Sequence, residues 1–306
     1  MRYWNLLAFL ALAFVWGTAF MAIKAGLSFF PPILFAAVRF DLAALLMLGY
    51  AIYATDRWRP QGTNEWLLVA VGGVFIIAGY HALLFIGEQN TTSATAAVIV
   101  SLSPVLTPAL ARAFLPSERL SAVGVVGILL GLVGVAVLTR PTPENLLGGD
   151  LVPKLFVFAA AVSFALGSVA SERISAALPA PTMEAWSMVL GAVVLHAATA
   201  LSPESLADAE ITLSGLAALL YLSVASSAIG FLIYFDLLDR LGPVEINLVS
   251  YVAPVFAALS GALLLGEVVD ALTVVGFVII FTGFVLLKRR AIAAELPRVR
   301  AALSGE

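Results

Sequence analysis

The sequence predicts an all-α membrane protein of ten transmembrane helices, arranged as two inverted five-helix repeats. Three observations predict it. The 306 residues are 62% hydrophobic and only 11% charged, where a soluble domain is about 45–50% apolar and about 25% charged. Apolar runs of span length recur along the whole chain. The chain also matches itself at an offset of 150 residues.

Composition excludes several classes at once. So few charges cannot cover a water-facing surface, which excludes a soluble enzyme, and the apolar excess excludes disorder. Cysteine is absent, so neither a disulfide framework nor a thiolate metal site is available. The two histidines, His81 and His196, are too few for a His-rich metal cluster. A net charge of −3 leaves no basic surplus to attract nucleic acid. No G-x-x-x-x-G-K-[ST] motif occurs, and no cofactor is expected.

The spans read in order as 5–24, 32–54, 66–87, 92–114, 120–139, 155–177, 184–201, 213–237, 244–265 and 270–287. Each approaches the roughly 20 apolar residues that cross a bilayer core. The breaks carry charge, Pro or Gly, as at Arg57-Trp58-Arg59-Pro60, Pro116-Ser117-Glu118-Arg119, Pro141-Thr142-Pro143, Pro179-Ala180-Pro181 and Leu241-Gly242-Pro243. Such long runs suit helices; barrel strands would alternate over about ten residues. The first run is longer than a signal-peptide core of roughly 7–15 residues, so it reads as a span. Lys/Arg placement orients the chain. One side holds Arg2, Arg57, Arg59, Arg112, Arg119, Arg173, Arg240, Lys288, Arg289, Arg290, Arg298 and Arg300, and the other only Lys24, Arg140 and Lys154. This asymmetry puts both termini in the cytoplasm, which requires an even number of spans.

At the 150-residue offset Phe14 falls on Phe164, Gly17 on Gly167, Thr18 on Ser168, Pro31 on Pro181, Phe85 on Phe235, and Pro104-Val105 on Pro254-Val255. With a one-residue slip, the pattern E-x8-G-x6-G recurs as Glu118, Gly127, Gly134 and Glu267, Gly276, Gly283. The expected organisation is a first repeat over 1–140, a linker over 141–153, a second repeat over 154–290 and a cytoplasmic tail over 291–306. Five spans per repeat turn the second repeat upside down. Inverted halves around a midplane site are the design of a transporter that works by alternating access.

Several stretches carry a resemblance. In the first repeat they are Trp16-Gly17-Thr18-Ala19-Phe20-Met21-Ala22-Ile23-Lys24, Val38-Arg39-Phe40, Ser101-Leu102-Ser103-Pro104 and Ser117-Glu118-Arg119-Leu120. In the second they are Tyr251-Val252-Ala253-Pro254 and Leu264-Leu265-Gly266-Glu267. Their order and repetition resemble the drug/metabolite transporter superfamily in its ten-span EamA-type branch, over essentially all of 5–290. The resemblance implies a secondary transporter, often an exporter of amino acids or other small metabolites. The pair Tyr80-His81 resembles that of the bacterial aromatic amino-acid exporters of this family. Other members handle nucleotide sugars, purines, vitamins or cationic drugs.

Ionisable groups at membrane depth cost about 2.5–3.5 kcal/mol on insertion scales, so each is a site candidate. Tyr80 and His81 offer an aromatic face, a hydroxyl and a group that titrates near neutrality; Phe85 and Glu88 continue the His81 face. The plain alternative is a core histidine bonded to a neighbouring helix. Pro104 and Pro254, at matching mid-span positions, each free a backbone carbonyl, near Val100 and Ser250. Ser101 and Ser103 precede the first; Asn247, Ser250 and Tyr251 precede the second. The expected outcome is symmetric irregular backbone lining a midplane cavity, against a kink that only shapes packing. Arg39 and Asp41 point to different faces of the second span and cannot pair with each other. Arg39 is read as architectural or gating, and Asp41 as a carboxylate for coupling to protons or another ion. Trp16, Ser163, Phe231 and Tyr234 can stack on or bond an organic substrate, although Trp and Tyr also anchor interfaces. His196 reads as interfacial. Glu118 and Glu267 read as helix-start carboxylates. Gly124, Gly127, Gly131, Gly134, Gly276 and Gly283 read as close helix contacts or a homodimer face.

The reading is a secondary transporter of small organic molecules in the bilayer, most simply an amino-acid exporter. A channel would need a continuous polar stripe, and a lipid-modifying enzyme would need a convergent acid/base or metal constellation; neither shows in the sequence.

Overall fold

In a bilayer the backbone has no water to bond, so apolar runs of this length satisfy their own N–H and C=O groups as helices. The computed structural model describes the backbone of residues 2–114, 121–140, 151–242 and 246–304, with side chains over 4–112, 121–140, 151–242 and 246–289. Within them lie α1 (Arg2–Gly26), α2 (Pro32–Ala54), α3 (Thr63–Glu88), α4 in two pieces (Ser93–Val100 and Ser103–Phe114), α5 (Ala122–Thr139), α6 (Leu151–Glu172), α7 (Ala180–Leu201), α8 (Leu213–Leu241), α9 (Val249–Leu265) and α10 (Ala271–Ser304). Nine of the ten are long and apolar enough to cross a membrane, and α9 is an apolar helix just below that length. Glu118, linker residues 141–150, Pro243 and the tail side chains fall outside the described residues.

Three pairs of repeat-equivalent helices, α2 with α7, α4 with α9 and α5 with α10, pack together antiparallel. At one end of α2 and α7, the Glu204 carboxylate beyond α7 accepts from the backbone N–H of Ile33 and Leu34 (2.9 and 3.0 Å). At the other end Thr182 Oγ1, in the first turn of α7, donates to the carbonyl of Arg57 beyond α2 (2.8 Å). The end of α5 likewise meets the start of α10 through Arg140 and Asp270 (2.8 Å). The start of α4 meets the end of α9, where Ser93 N–H donates to Glu267 (3.0 Å). Cross-packing follows the same rule: α1 lies on α9 and α8, while α6 lies on α4 and α3. The second repeat is therefore inverted on the first about a pseudo-two-fold axis.

The α5–α10 pair shows why glycine stands where it does. A Cβ on Gly127 would lie 2.5 Å from the carbonyl oxygen of Gly283, and one on Gly134 would lie 2.9 Å from that of Gly276. The repeated glycines thus let two backbones touch within one chain. They form this internal contact rather than the homodimer face that was the alternative.

Four further expectations are corrected. Helix α6 starts at Leu151, inside the expected linker, and stops at Glu172 rather than 177. Beyond it the carbonyls of Ser175 and Ala177 accept from Asn64 in the first turn of α3 and Arg57 of the α2–α3 loop instead of continuing the helix. The two prolines are not equivalent. Chain α4 breaks at Ser101-Leu102, so Pro104 sits in the first turn of a new helical piece, where its missing N–H is harmless, whereas Pro254 lies inside continuous α9. The freed carbonyl of Val100 accepts from Ser103 Oγ (2.8 Å) and that of Val98 from Ser101 Oγ (2.6 Å), so this backbone is satisfied internally. Finally, Glu267 caps α4 of the opposite repeat; α10 is capped by Asp270, which accepts from Thr273 N–H (2.7 Å).

Candidate functional site

Two irregular helical turns position the centre of the molecule. Residues Gly72–Gly79 of α3 and Tyr221–Ile229 of α8 form wide π-type turns at equivalent places in the two repeats. Runs of this kind are rare and concentrate at functional sites. In each, the residue after the turn bonds five residues back: Tyr80 N–H to Phe75 O, and Gly230 N–H to Ala225 O. Each turn also exposes a carbonyl that a side chain of the opposite repeat bonds. Ser163 Oγ of α6 donates to Phe75 O (2.8 Å), and Trp16 Nε1 of α1 donates to Ser226 O (3.2 Å). Glycine makes room at both contacts. A Cβ on Gly79 would lie 2.6 Å from Ser163 Oγ, and one on Gly230 2.7 Å from Trp16 Nε1.

Arg39 of α2 reaches the α8 wide turn. Its side chain is 5% exposed, and Nε and Nη2 donate to Ser227 Oγ at 3.3 and 3.2 Å. Ser226 Oγ lies at the long limit, 3.5 Å from Nη2. The guanidinium lies over the rings of Phe40 and Phe85, 5.0 and 5.8 Å from their centroids. Among the described residues no carboxylate forms a salt bridge with it. A cation held by hydroxyls and aromatic faces retains an unmet preference for an anion.

Tyr80 and His81 stand beside it. The His81 ring packs 4.4 Å from Phe40 and 4.6 Å from Tyr80, and its Nδ1 lies 2.8 Å from the carbonyl oxygen of Ile77. Tyr80 packs against Phe164 of α6 at 5.7 Å. On the other side of Ser226, Trp16, Phe231 and Tyr234 form an aromatic cage, with ring centroids 5.5–6.4 Å apart. The expected residues Arg39, Tyr80, His81, Trp16, Phe231 and Ser163 therefore gather around the two wide turns.

The remaining expected residues lie elsewhere. Asp41 turns away from Arg39 and bonds His196 Nε2 of α7 at 2.8 Å, both side chains being nearly half exposed. Ser101 is buried and bonded to Val98. Tyr251 packs on Phe281 and Phe284 of α10, 5.4 and 4.4 Å away, with its hydroxyl unpartnered. Asn247 and Ser250 form the half-buried turn that starts α9, and no described contact brings them to Arg39. Pro104 lies within α4 and Pro254 within α9, and no described hydrogen bond or ring contact brings either to the wide turns. The sequence reading missed Ser226, Ser227 and Glu204. Two adjacent hydroxyls in an apolar span were the available signal for the first pair.

Inverted repeats meeting at paired helix irregularities, with a buried cation between them, define an inverted-repeat membrane transporter. Comparison with known proteins gives the family. The chain belongs to the EamA-like transporter family, whose family model matches residues 3–140 and again 152–289. It is 30% identical over 283 residues to the Escherichia coli inner membrane transporter YedA, covering 92% of this chain and 89% of that one. It is 31% identical over 283 residues to a probable amino-acid metabolite efflux pump of Salmonella typhimurium, covering 88% and 89%. A WAT1-related chloroplast protein of Arabidopsis thaliana is 28% identical, covering 90% of this chain and 67% of that one. A crystal structure 24% identical in sequence superposes with a TM-score of 0.65 over 96% of this chain and 100% of its own, which supports the fold.

Proposed function

We propose that the protein exports amino acids, aromatic ones among them, across the inner membrane by alternating access, with both termini in the cytoplasm. The observation that carries this reading is Arg39, a buried guanidinium between the repeats with hydroxyl and aromatic neighbours and no acidic partner among the described residues. A planar guanidinium pairs with a carboxylate through two parallel hydrogen bonds, the geometry an amino acid offers. Tyr80, His81 and the cage of Trp16, Phe231 and Tyr234 present ring faces for the rest of the solute. The name of the Salmonella relative points the same way. An anionic nucleotide sugar would also answer Arg39, whereas a cationic drug would be repelled by it.

The test is radiolabelled amino-acid efflux from proteoliposomes. Saturable flux that Arg39→Lys lowers at least about tenfold is expected, because lysine keeps the charge and loses the fork. Absence of flux for every amino acid, with folded wild-type protein and intact vesicles, would falsify the substrate class.

A further inference from the structure

Among the described residues, six buried side-chain oxygens have no hydrogen-bond partner, and four of them belong to one turn of chain: Glu88 Oε1 and Oε2, Thr91 Oγ1 and Ser93 Oγ. Glu88 and Ser93 are fully buried and Thr91 is 4% exposed. The turn is tight, with Thr91 N–H directed at the Glu88 carbonyl (3.4 Å). Buried oxygens are normally bonded, and a bare carboxylate among bare hydroxyls is an expensive arrangement.

The neighbouring charges do not relieve it. Lys24 of α1, Arg39 of α2 and Glu267 after α9 are the charged groups that act on Glu88. Lys24 Nζ donates to the backbone carbonyls of Glu88 and Gln89 (3.0 and 2.7 Å), not to the carboxylate. Glu267 is a second negative charge, and its oxygens already accept from Ser93 N–H. Arg39 is held by the serines of α8. Lys24 and Arg39 match Glu88 and Glu267 in number, yet neither cation bonds the Glu88 carboxylate. A depression of about 280 Å³, lined by Lys24, Leu27, Ser28, Gln89 and Asn90, opens beside the same turn.

We infer that the turn joining α3 to α4 is a binding site for one alkali cation, Na⁺, held by the Glu88 carboxylate with the hydroxyl oxygens of Thr91 and Ser93. The donor set is oxygen only, which suits a hard cation. A proton on Glu88 would settle one carboxyl oxygen and leave both hydroxyls bare, whereas a metal cation can draw on carboxylate and hydroxyl oxygens together. In a transporter, a cation site within electrostatic reach of the Arg39 centre, at the end of the bundle away from residue 56, couples solute movement to the Na⁺ gradient.

The test needs no transported solute, so its failure is separate from failure of the amino-acid reading. The purified full-length protein is melted in about 100 mM NaCl and in choline chloride of equal ionic strength. Na⁺ is expected to raise the melting temperature by about 3 °C, and Glu88→Gln to abolish that response while still folding, since it removes only the buried charge. Thr91→Val and Ser93→Ala, which leave the carboxylate in place, are expected to weaken Na⁺ titration about tenfold each. Equal melting in both salts overturns the assignment, as does a Na⁺ response that persists in Glu88→Gln. Stability that follows pH and ignores Na⁺ makes the occupant a proton and overturns it too.

Discussion

The two repeats share a backbone and differ in chemistry. Their third helices carry matching wide turns, each locked by a donor from the first helix of the opposite repeat, Ser163 on one side and Trp16 on the other. At positions 150 apart, however, the first repeat has Arg39, Tyr80, His81 and Glu88 where the second has Val189, Gly230, Phe231 and Leu238. The second answers with Ser226 and Ser227 where the first has Ile76 and Ile77. The gap between α3 and α7 is closed by small residues: a Cβ on Gly73 would lie 3.1 Å from the Ser187 carbonyl oxygen. The equivalent gap between α2 and α8 is bridged by Arg39 and two serines. A symmetric scaffold can rock between equivalent states; an asymmetric lining lets it prefer one solute in one orientation.

The comparison breaks most completely through its shared part. Gly127→Leu drives a side chain into the α10 backbone at Gly283, and the expected loss is about 3 kcal/mol or failure to fold, read by thermal melting of the detergent-solubilised protein. The unshared part comes next. Arg39→Leu should reduce amino-acid efflux about 100-fold, the cost of a charge-assisted pair, while Val189→Ala at the equivalent place changes it less than about twofold. Equal effects at the two positions would return Arg39 to a purely architectural role. Smaller still is the pair of locks. Trp16→Phe and Ser163→Ala each remove one hydrogen bond, so each should lower stability by about 1 kcal/mol. Only Trp16→Phe should also raise the KM for efflux, because only Trp16 belongs to the aromatic cage.

The smallest effect concerns Asp270, outside the membrane span. The Thr273 hydroxyl that donates to it, with the Thr273 amide and the Arg140 charge, holds its carboxyl below the ordinary carboxylate range. A lowered folded-state pKa contributes stability above the unfolded value, and that stability is lost as pH falls through the folded one. Asp270→Asn should therefore flatten the acid limb of the melting-temperature profile and leave the neutral region nearly unchanged. An unaltered acid limb would mean that the Arg140–Asp270 contact is too solvent-screened to matter, both side chains being about half exposed.

Much of the architecture was legible. Span positions follow from apolar run length, and the offset of 150 exposed the repeat because Pro31 and Pro181 open equivalent helices. Arg39, Tyr80 and His81 stood out as polar groups at membrane depth. Other features were hidden by being non-local. The role of Ser227 depends on an arginine 188 residues away. Glu267 looks like a cap for the helix that follows it, yet its oxygens meet the Ser93 amide of the other repeat. The glycine pattern reads equally well as an inner or an outer contact until α5 and α10 are seen back to back. Pro104 and Pro254 align in sequence, but only the first follows a break, where two serine hydroxyls replace the lost backbone bonds.

From the sequence by itself follow ten spans, two repeats and a membrane-embedded arginine, because apolar length, internal periodicity and charge are local properties that a bilayer reads directly. Tertiary structure alone decided which polar groups meet. In an apolar solvent any charged or hydroxyl group must find its partner inside the protein, and that partner is set by how two inverted backbones cross. Packing, not spacing along the chain, turned Asp41 outward to His196, brought Arg39 to the serines of α8, and left Glu88, Thr91 and Ser93 buried together at one turn.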